Sequence, residues 1–295
     1  MPQLTQSKTI LNKTKKRDDW FLDDYTLNPY SGCSFNCLYC YIRGSKYGIN
    51  MEDKLTVKEN AVELLEKQLK LRAKKNQFGF IVLSSATDPY LQFEKSFEIS
   101  RKLLGVMLRF QFPVHVITKS DLVERDFDLL KEIDEKATLP PDLKDKLGRG
   151  SLITFSFSTI DDKVRSIFEP GATPIALRLS ALEKAAKAGF KTGVSMMPLL
   201  PYISDTQEML EKMFIAFRNA GAQYVMPASI TLFGYGSTDN KTLVLRALSK
   251  YYPELVEKYN KLFSYGFSVP RSYQANLESM TKELNLKYKI PNRII

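Results

Sequence analysis

Short apolar runs alternate with longer segments of helical period along most of this chain. That rhythm limits the fold to a parallel sheet with helices packed outside it. The runs 78–83, 114–117, 152–157, 193–197 and 224–226 read as buried strands. Between them, 57–74, 94–109, 122–136, 174–188 and 205–220 read as helices. In 174–188, Ile175, Leu179, Leu182 and Ala186 fall on one face, and Gly189 follows Lys184 and Lys187 as a stop. Asp205 is placed to cap the next helix, with Leu210, Phe214 and Phe217 on one side. A sixth strand is expected at 25–29. Six strands fall short of a closed eight-fold barrel, so an α/β fold is expected, an open partial (β/α)6 barrel. Its ligands should sit at the carboxyl ends of the strands.

The stretch 137–150 interrupts the rhythm and reads as a surface connection. After about Thr231 the strands stop, and 243–263 and 272–286 look helical, with Gly266 and Pro270 between them. The expected organisation is a core over 1–230, with an N-terminal extension, and a C-terminal helical cap over 231–295.

All the cysteine of the chain lies in one stretch, Gly32-Cys33-Ser34-Phe35-Asn36-Cys37-Leu38-Tyr39-Cys40-Tyr41. Three thiolates at C-x3-C-x2-C spacing can hold three irons of a [4Fe–4S] cluster, which usually takes four cysteines. The fourth iron is then open to an outside ligand, as reductive cleavage of S-adenosylmethionine (SAM) requires. A structural zinc site wants four tetrahedral ligands, and the only histidine, His115, is distant. A disulfide would leave an odd thiol. His115 alternates within Val114-His115-Val116-Ile117 and reads as a satisfied core histidine.

With 295 residues, 44% hydrophobic and 26% charged, the chain has the composition of an ordinary globule. No run of about 18 apolar residues marks a membrane span, and no apolar core follows the first charges as in a signal peptide. A cytoplasmic location is expected, where a reducing medium suits an oxygen-sensitive cluster. The formal charge of +10 favours polyanions such as nucleic acid or nucleotides, although solvated lysine faces give the same number. Positive residues cluster at Lys13, Lys15, Lys16 and Arg17, and again at Lys67, Lys70, Arg72, Lys74 and Lys75. Neither cluster is interleaved with aromatics for base stacking.

Several further pieces accompany the cysteine loop. They are Asn28-Pro29-Tyr30-Ser31-Gly32, Thr87-Asp88-Pro89-Tyr90 with Glu94, Ile117-Thr118-Lys119-Ser120 with Arg125-Asp126, Ser156 through Thr159, Glu169-Pro170-Gly171-Ala172, Arg178-Leu179, and Pro198 to Pro201. Together with the cysteines, over about 27–205, they resemble the radical SAM enzymes of the spore photoproduct lyase-like family. The resemblance implies a partial TIM barrel of the radical SAM type, a [4Fe–4S] cluster on Cys33, Cys37 and Cys40, SAM, and a one-electron reductant of the flavodoxin or ferredoxin type. Radical chemistry is the cofactor's, and the protein supplies placement.

The same resemblance makes Tyr39 and Tyr41 catalytic candidates, either near SAM or in radical relay; otherwise they shield the cluster. Asp88 and Thr87 could accept from the methionyl ammonium of SAM, or form a capping turn. Lys119, ending the third strand, suits the SAM carboxylate, or is a solvated strand-end lysine. Ser156 could bind the ribose or carboxylate, or bond to backbone. Arg178 belongs to the cofactor set or to a structural ion pair with Glu169. Arg125 and Asp126 are expected to fix the following helix, and Glu94 to be a helix-start charge.

Two departures stand out. Spore photoproduct lyases carry a hydrogen-donor cysteine just after the second strand, where this chain reads Ser84-Ser85-Ala86-Thr87. Serine is a poor hydrogen-atom donor, so repair of spore photoproduct itself is not expected. Phe35 stands where many relatives have histidine, which alters the outer shell of the cluster. The expected function is therefore radical SAM abstraction of hydrogen from a nucleic-acid or nucleotide substrate by a monomer. The alternatives are modification of a peptide or small metabolite, or a non-catalytic, metal-stabilised nucleic-acid-binding protein.

Overall fold

The computed structural model describes residues 2–45, 51, 55–83 and 85–295. Six parallel strands form its centre: β1 (Tyr25–Leu27), β2 (Ile81–Leu83), β3 (Val114–Thr118), β4 (Ser151–Ser156), β5 (Lys191–Leu199) and β6 (Val225–Ser229). They lie side by side in chain order. Leu11–Lys13 pairs antiparallel with β1 and covers that edge. At the other edge Val225 N donates to Pro291 O at 2.9 Å, so the C-terminal segment covers the start of β6. The sheet is thus a six-stranded partial barrel, α/β as expected, with neither edge left as a bare template for pairing.

Strand alternation divides the core. Val114, Val116, Ile153, Phe155, Val194 and Met196 pack outward with Leu103, Leu130, Leu182 and Phe214 of the helices. Phe80, Leu152, Tyr224 and Met226 form a second cluster with Leu22, Leu143 and Ile294. Each such buried side chain stabilises the fold by roughly 1.5–3 kcal/mol. The same face as Leu152 carries a polar chain. His115 Nδ1 donates to Phe21 O (2.8 Å), and its Nε2 accepts from Thr154 Oγ1 (2.6 Å), which in turn accepts from Tyr224 OH (2.6 Å). Burial lowers the imidazole to about pKa 4, and this network suits the neutral ring. Gly193 makes room here, since a Cβ would stand 2.5 Å from the Tyr224 ring.

Local chemistry moved several boundaries. The first helix begins only at Ala61, because Thr56–Lys58 forms a strand with Gln3–Thr5 and Tyr30–Ser31. The expected helix 94–109 is broken at Glu98, which adopts φ 52°, into Glu94–Phe97 and Ile99–Arg109. Residues 122–136 open with a 3-10 segment, Asp121–Asp126, before Phe127–Lys136. The connection 137–150 contains the helix Pro141–Leu147, whose buried Leu143 is why it is not merely a loop. Asp205 does not cap. Thr206 caps Gln207–Asn219, and Asp205 instead accepts from Tyr202 N (2.7 Å) and Tyr273 OH (2.6 Å). Beyond β6 lie Asn240–Tyr251, Val256–Leu262 and Arg271–Tyr288, the first two separated where Pro253 interrupts helical bonding.

Candidate metal centre and cofactor cleft

The cysteine loop leaves the barrel after β1 and is shaped by tight turns. Asn36 N bonds Cys33 O, Cys40 N bonds Cys37 O, and Arg43 N bonds Cys40 O. Asn36 takes the left-handed conformation, φ 52°, which asparagine tolerates. Arg43, 1% exposed, reaches back with Nε to Cys37 O (3.0 Å) and with Nη2 to Asn36 Oδ1. From across the chain, Leu38 N bonds Phe168 O (2.9 Å) and Gly171 N bonds Phe35 O (3.0 Å). Gly171 is required by this approach, because a Cβ there would lie 2.1 Å from Ser34 O. Asn240 Nδ2 adds a long bond to Tyr39 O at 3.5 Å. Hydrogen bonds from Arg43, Phe168, Gly171 and Asn240 thus brace the loop.

All three cysteines are free thiols. Burial pushes Cys33 up to about 12, with Asp88 and Cys40 adding to it. Burial raises Cys37 strongly, as do the Glu169 charge and the neighbouring thiols, and it raises Cys40 as well. Each thiol therefore keeps its proton until a cation displaces it, as metal binding does. Among the described residues no three Cys, His, Asp or Glu converge as one bare ion would need. Zinc bonds of about 2.3 Å demand that convergence. Three thiols on successive turns of one loop fit a larger iron–sulfur cube instead.

Beside the loop, the strand ends assemble a cleft. Asp88, 7% exposed, accepts from Tyr90 N (2.9 Å) and Thr118 Oγ1 (2.7 Å) on Oδ1, and from Lys119 N (2.8 Å) on Oδ2. Burial raises its pKa, and these donors oppose the shift. Thr87 is half-buried just before it. Lys119 Nζ bonds Ser156 Oγ, lies 3.9 Å from Glu169 Oε1, and stands 5.9 Å from the Tyr39 ring centre. The serine cluster after β2 falls partly outside the described residues, at Ser84; Ser85 is exposed and its carbonyl accepts from Tyr41 OH.

Below the cleft lies a buried ion pair. Glu169 accepts from Arg178 Nη2 (2.5 Å), Ser158 Oγ (2.7 Å) and Tyr39 OH. Burial alone would raise this carboxylate, yet Arg178, Lys119 and the two hydroxyls hold it at about 2. Arg178 spends its other donors on Ser156 O (3.0 Å) and Thr173 O (2.7 Å) and is fully buried. Lys119, Ser156, Asp88 and the cysteines are thus brought together, while Arg178 lies one layer behind them. Tyr39 is buried and Tyr41 is exposed. Arg125 bridges Asp126 and Glu94, and Glu94 also accepts from Tyr30 OH and Ser100 N, so this set braces the helices. Sequence reading missed Arg43 and Asn240, and gave Ser158 no role beyond its place in the 156–159 stretch. Only the Glu169-Pro170-Gly171-Ala172 motif signalled that a distant segment meets the loop.

Three free thiols at the mouth of a six-stranded partial barrel define a class, and the family comparison agrees. The chain belongs to the Radical SAM superfamily, whose model matches residues 27–214. It is a radical SAM enzyme, and its cofactors are a [4Fe–4S] cluster and SAM. An uncharacterized protein of Mycobacterium tuberculosis is 26% identical over 275 residues, spanning 90% of this chain and 75% of its own. An uncharacterized protein of Acidianus two-tailed virus is 27% identical over 253 residues, 82% of this chain and 78% of its own. Among solved structures, a mutant of spore photoproduct lyase superposes with TM-score 0.67 at 15% identity, covering 98% of this chain and 80% of that one. The lyase complexed with dinucleoside spore photoproduct gives TM-score 0.65 at 15% identity and the same coverage. At such identity the likeness is one of fold. Among the described residues no helix is long and apolar enough to cross a membrane.

Proposed function

We propose that this enzyme abstracts hydrogen from a nucleic-acid or nucleotide substrate admitted over the mouth of the partial barrel. The reading rests chiefly on one arrangement: three sheltered thiols share one end of the sheet with Lys119 and Ser156. Bound there, the cluster and SAM supply a 5′-deoxyadenosyl radical by one-electron reductive cleavage. Cys33, Cys37 and Cys40 hold the metal. Lys119, now bonded to Ser156, would bind the SAM carboxylate, and Ser156 the ribose or carboxylate. Asp88 and Thr87 line the methionyl end, with Asp88 fixing the Lys119 backbone. Arg178 and Tyr39 position Glu169 behind the cleft, and Tyr41, being exposed, is the tyrosine able to face substrate.

The choice of a polyanionic substrate follows from the charge of +10 and is in keeping with a fold relative complexed with dinucleoside spore photoproduct. We assign residues 1–230 to the catalytic core and 231–295 to a cap, working as a cytoplasmic monomer fed by a flavodoxin- or ferredoxin-type donor. The test is anaerobic reconstitution with iron and sulfide, then SAM and a strong reductant. Deoxyadenosine is the expected product. A reconstituted protein that yields none would overturn the assignment.

A further inference from the structure

The two basic clusters of the N-terminal half are partly engaged within the protein. Arg17 is paired with Asp24 and Asp142, and Arg72 lies over the Tyr25 ring at 4.6 Å. Aromatics and positive charge meet instead beyond β6. The loop that leaves β6 and the loop between Val256–Leu262 and Arg271–Tyr288 run antiparallel, joined at Thr231 and Ser268 and by Leu232 N to Phe267 O at 2.8 Å. Phe233 and Phe267 pair edge to face across them, 6.0 Å between centres. Around that pair Tyr235, Tyr265 and Phe267 are 88%, 103% and 61% exposed.

This rim adjoins the metal loop. Gly44, four residues past Cys40, sits against Phe233, whose ring is 3.0 Å from where a Cβ would be. Positive charge accompanies the rings. Lys241 Nζ is 5.5 Å from the Tyr235 centre, and Arg246 Nη1 bonds Ser237 O at 3.3 Å. Asp239 is the nearby acid, and it is turned to Gly236 N (2.8 Å). Residues 231–295 hold ten Lys and Arg against five Asp and Glu.

We propose that Tyr235, Tyr265 and Phe267 form a stacking rim for unpaired bases of a single-stranded polynucleotide, with Lys241 and Arg246 serving its phosphates. The proposal rests on the nucleic-acid reading above and deepens it. Exposed rings are costly to display to water and are sequence-tolerant partners for any base, while flanking cations track a phosphate backbone. An acidic peptide would satisfy the cations and leave the rings idle, and a duplex hides the base faces that the rings would contact.

The test uses the full chain and fluorescence anisotropy, with labelled oligothymidylate and oligouridylate of about 12 nucleotides, within the span of such sites. Tyr235→Ala, Tyr265→Ala and Phe267→Ala should each weaken binding about 5- to 100-fold, as loss of one stacked base does. Tyr235→Phe should retain it. Lys241→Gln should flatten the logarithmic salt dependence by about 0.7, the share of one phosphate on a single strand. Unchanged binding by the triple alanine variant would refute the rim alone. Absence of any binding by the wild type, or equal binding of polyglutamate, would overturn both the rim and the nucleic-acid reading. Equal or tighter binding of duplex would overturn the preference for unpaired bases. None of these readouts involves SAM cleavage, which deoxyadenosine formation reports separately.

Discussion

Arg178 Nη2 lies 2.5 Å from Glu169 Oε2, and both side chains are wholly withdrawn from solvent. The pair joins the strand end that carries Ser156 to the segment that grips the metal loop. Removing one partner strands the other charge, which costs about 3–5 kcal/mol. Glu169→Gln and Arg178→Met should each lower the urea midpoint accordingly, and the double variant should recover much of the loss. Additive losses in the double variant would show that the two groups act independently.

Cys37→Ala should abolish deoxyadenosine formation and leave the far-ultraviolet circular dichroism nearly unchanged, since Arg43, Leu38 and Gly171 brace the loop. Retained cleavage by a cluster-free variant would contradict the assignment of the ligand.

Lys119→Met should weaken SAM binding by about 10- to 150-fold, the range for one hydrogen bond to a charged group, about 1.5–3 kcal/mol. Ser156→Ala should have a smaller effect, because it loses a neutral donor. Calorimetric titration of the reconstituted protein measures both. A Lys119→Met variant with wild-type affinity would remove the residue from the cofactor set.

Gly171→Ala should lower the iron bound per chain more than it lowers the unfolding temperature. Its Cβ collides with a backbone oxygen, Ser34 O, and something must shift to admit it. The cheapest shift is of the cysteine loop itself. Normal iron content in this variant would show that the clash is relieved elsewhere.

His115 is the only histidine, so its ring resonance needs no assignment. It should titrate near pH 4 in the folded protein, against about 6.5 in an unfolded chain. Between those values the unfolded chain takes up a proton that the folded one refuses. Stability therefore falls as pH drops through that window, by about 3 kcal/mol at full extent. Titration near 6.5 would mean that the Phe21–His115–Thr154 chain is open to water.

The sequence made the strands legible because they are short, apolar and flanked by helical period; all six parallel strands lie on or beside the expected runs. Cysteine spacing was equally readable, being local. What was not readable is non-local. Thr56–Lys58 became a strand because two other short segments meet it, and Glu98 broke a helix while the Glu94 carboxylate was drawn inward to Ser100 N. The Arg178–Glu169 pair was one of two readings open to the sequence, but that Arg178 also bonds the Ser156 and Thr173 carbonyls was not legible, because nothing in its own neighbourhood tells of them. Asn240 reaches Tyr39 across 201 positions, a distance at which no periodicity speaks.

The clasp of Arg43, Leu38 and Gly171 on the metal loop has a consequence for the life of the enzyme in air. Iron–sulfur centres with an open corner are eroded by oxygen, and a loop shaped only by its metal would collapse with each loss. Here the mould is cast by backbone bonds to Phe168 and Phe35 and by a buried guanidinium. A damaged molecule should then keep its socket, so that fresh iron and sulfide restore it without the chain having to fold again.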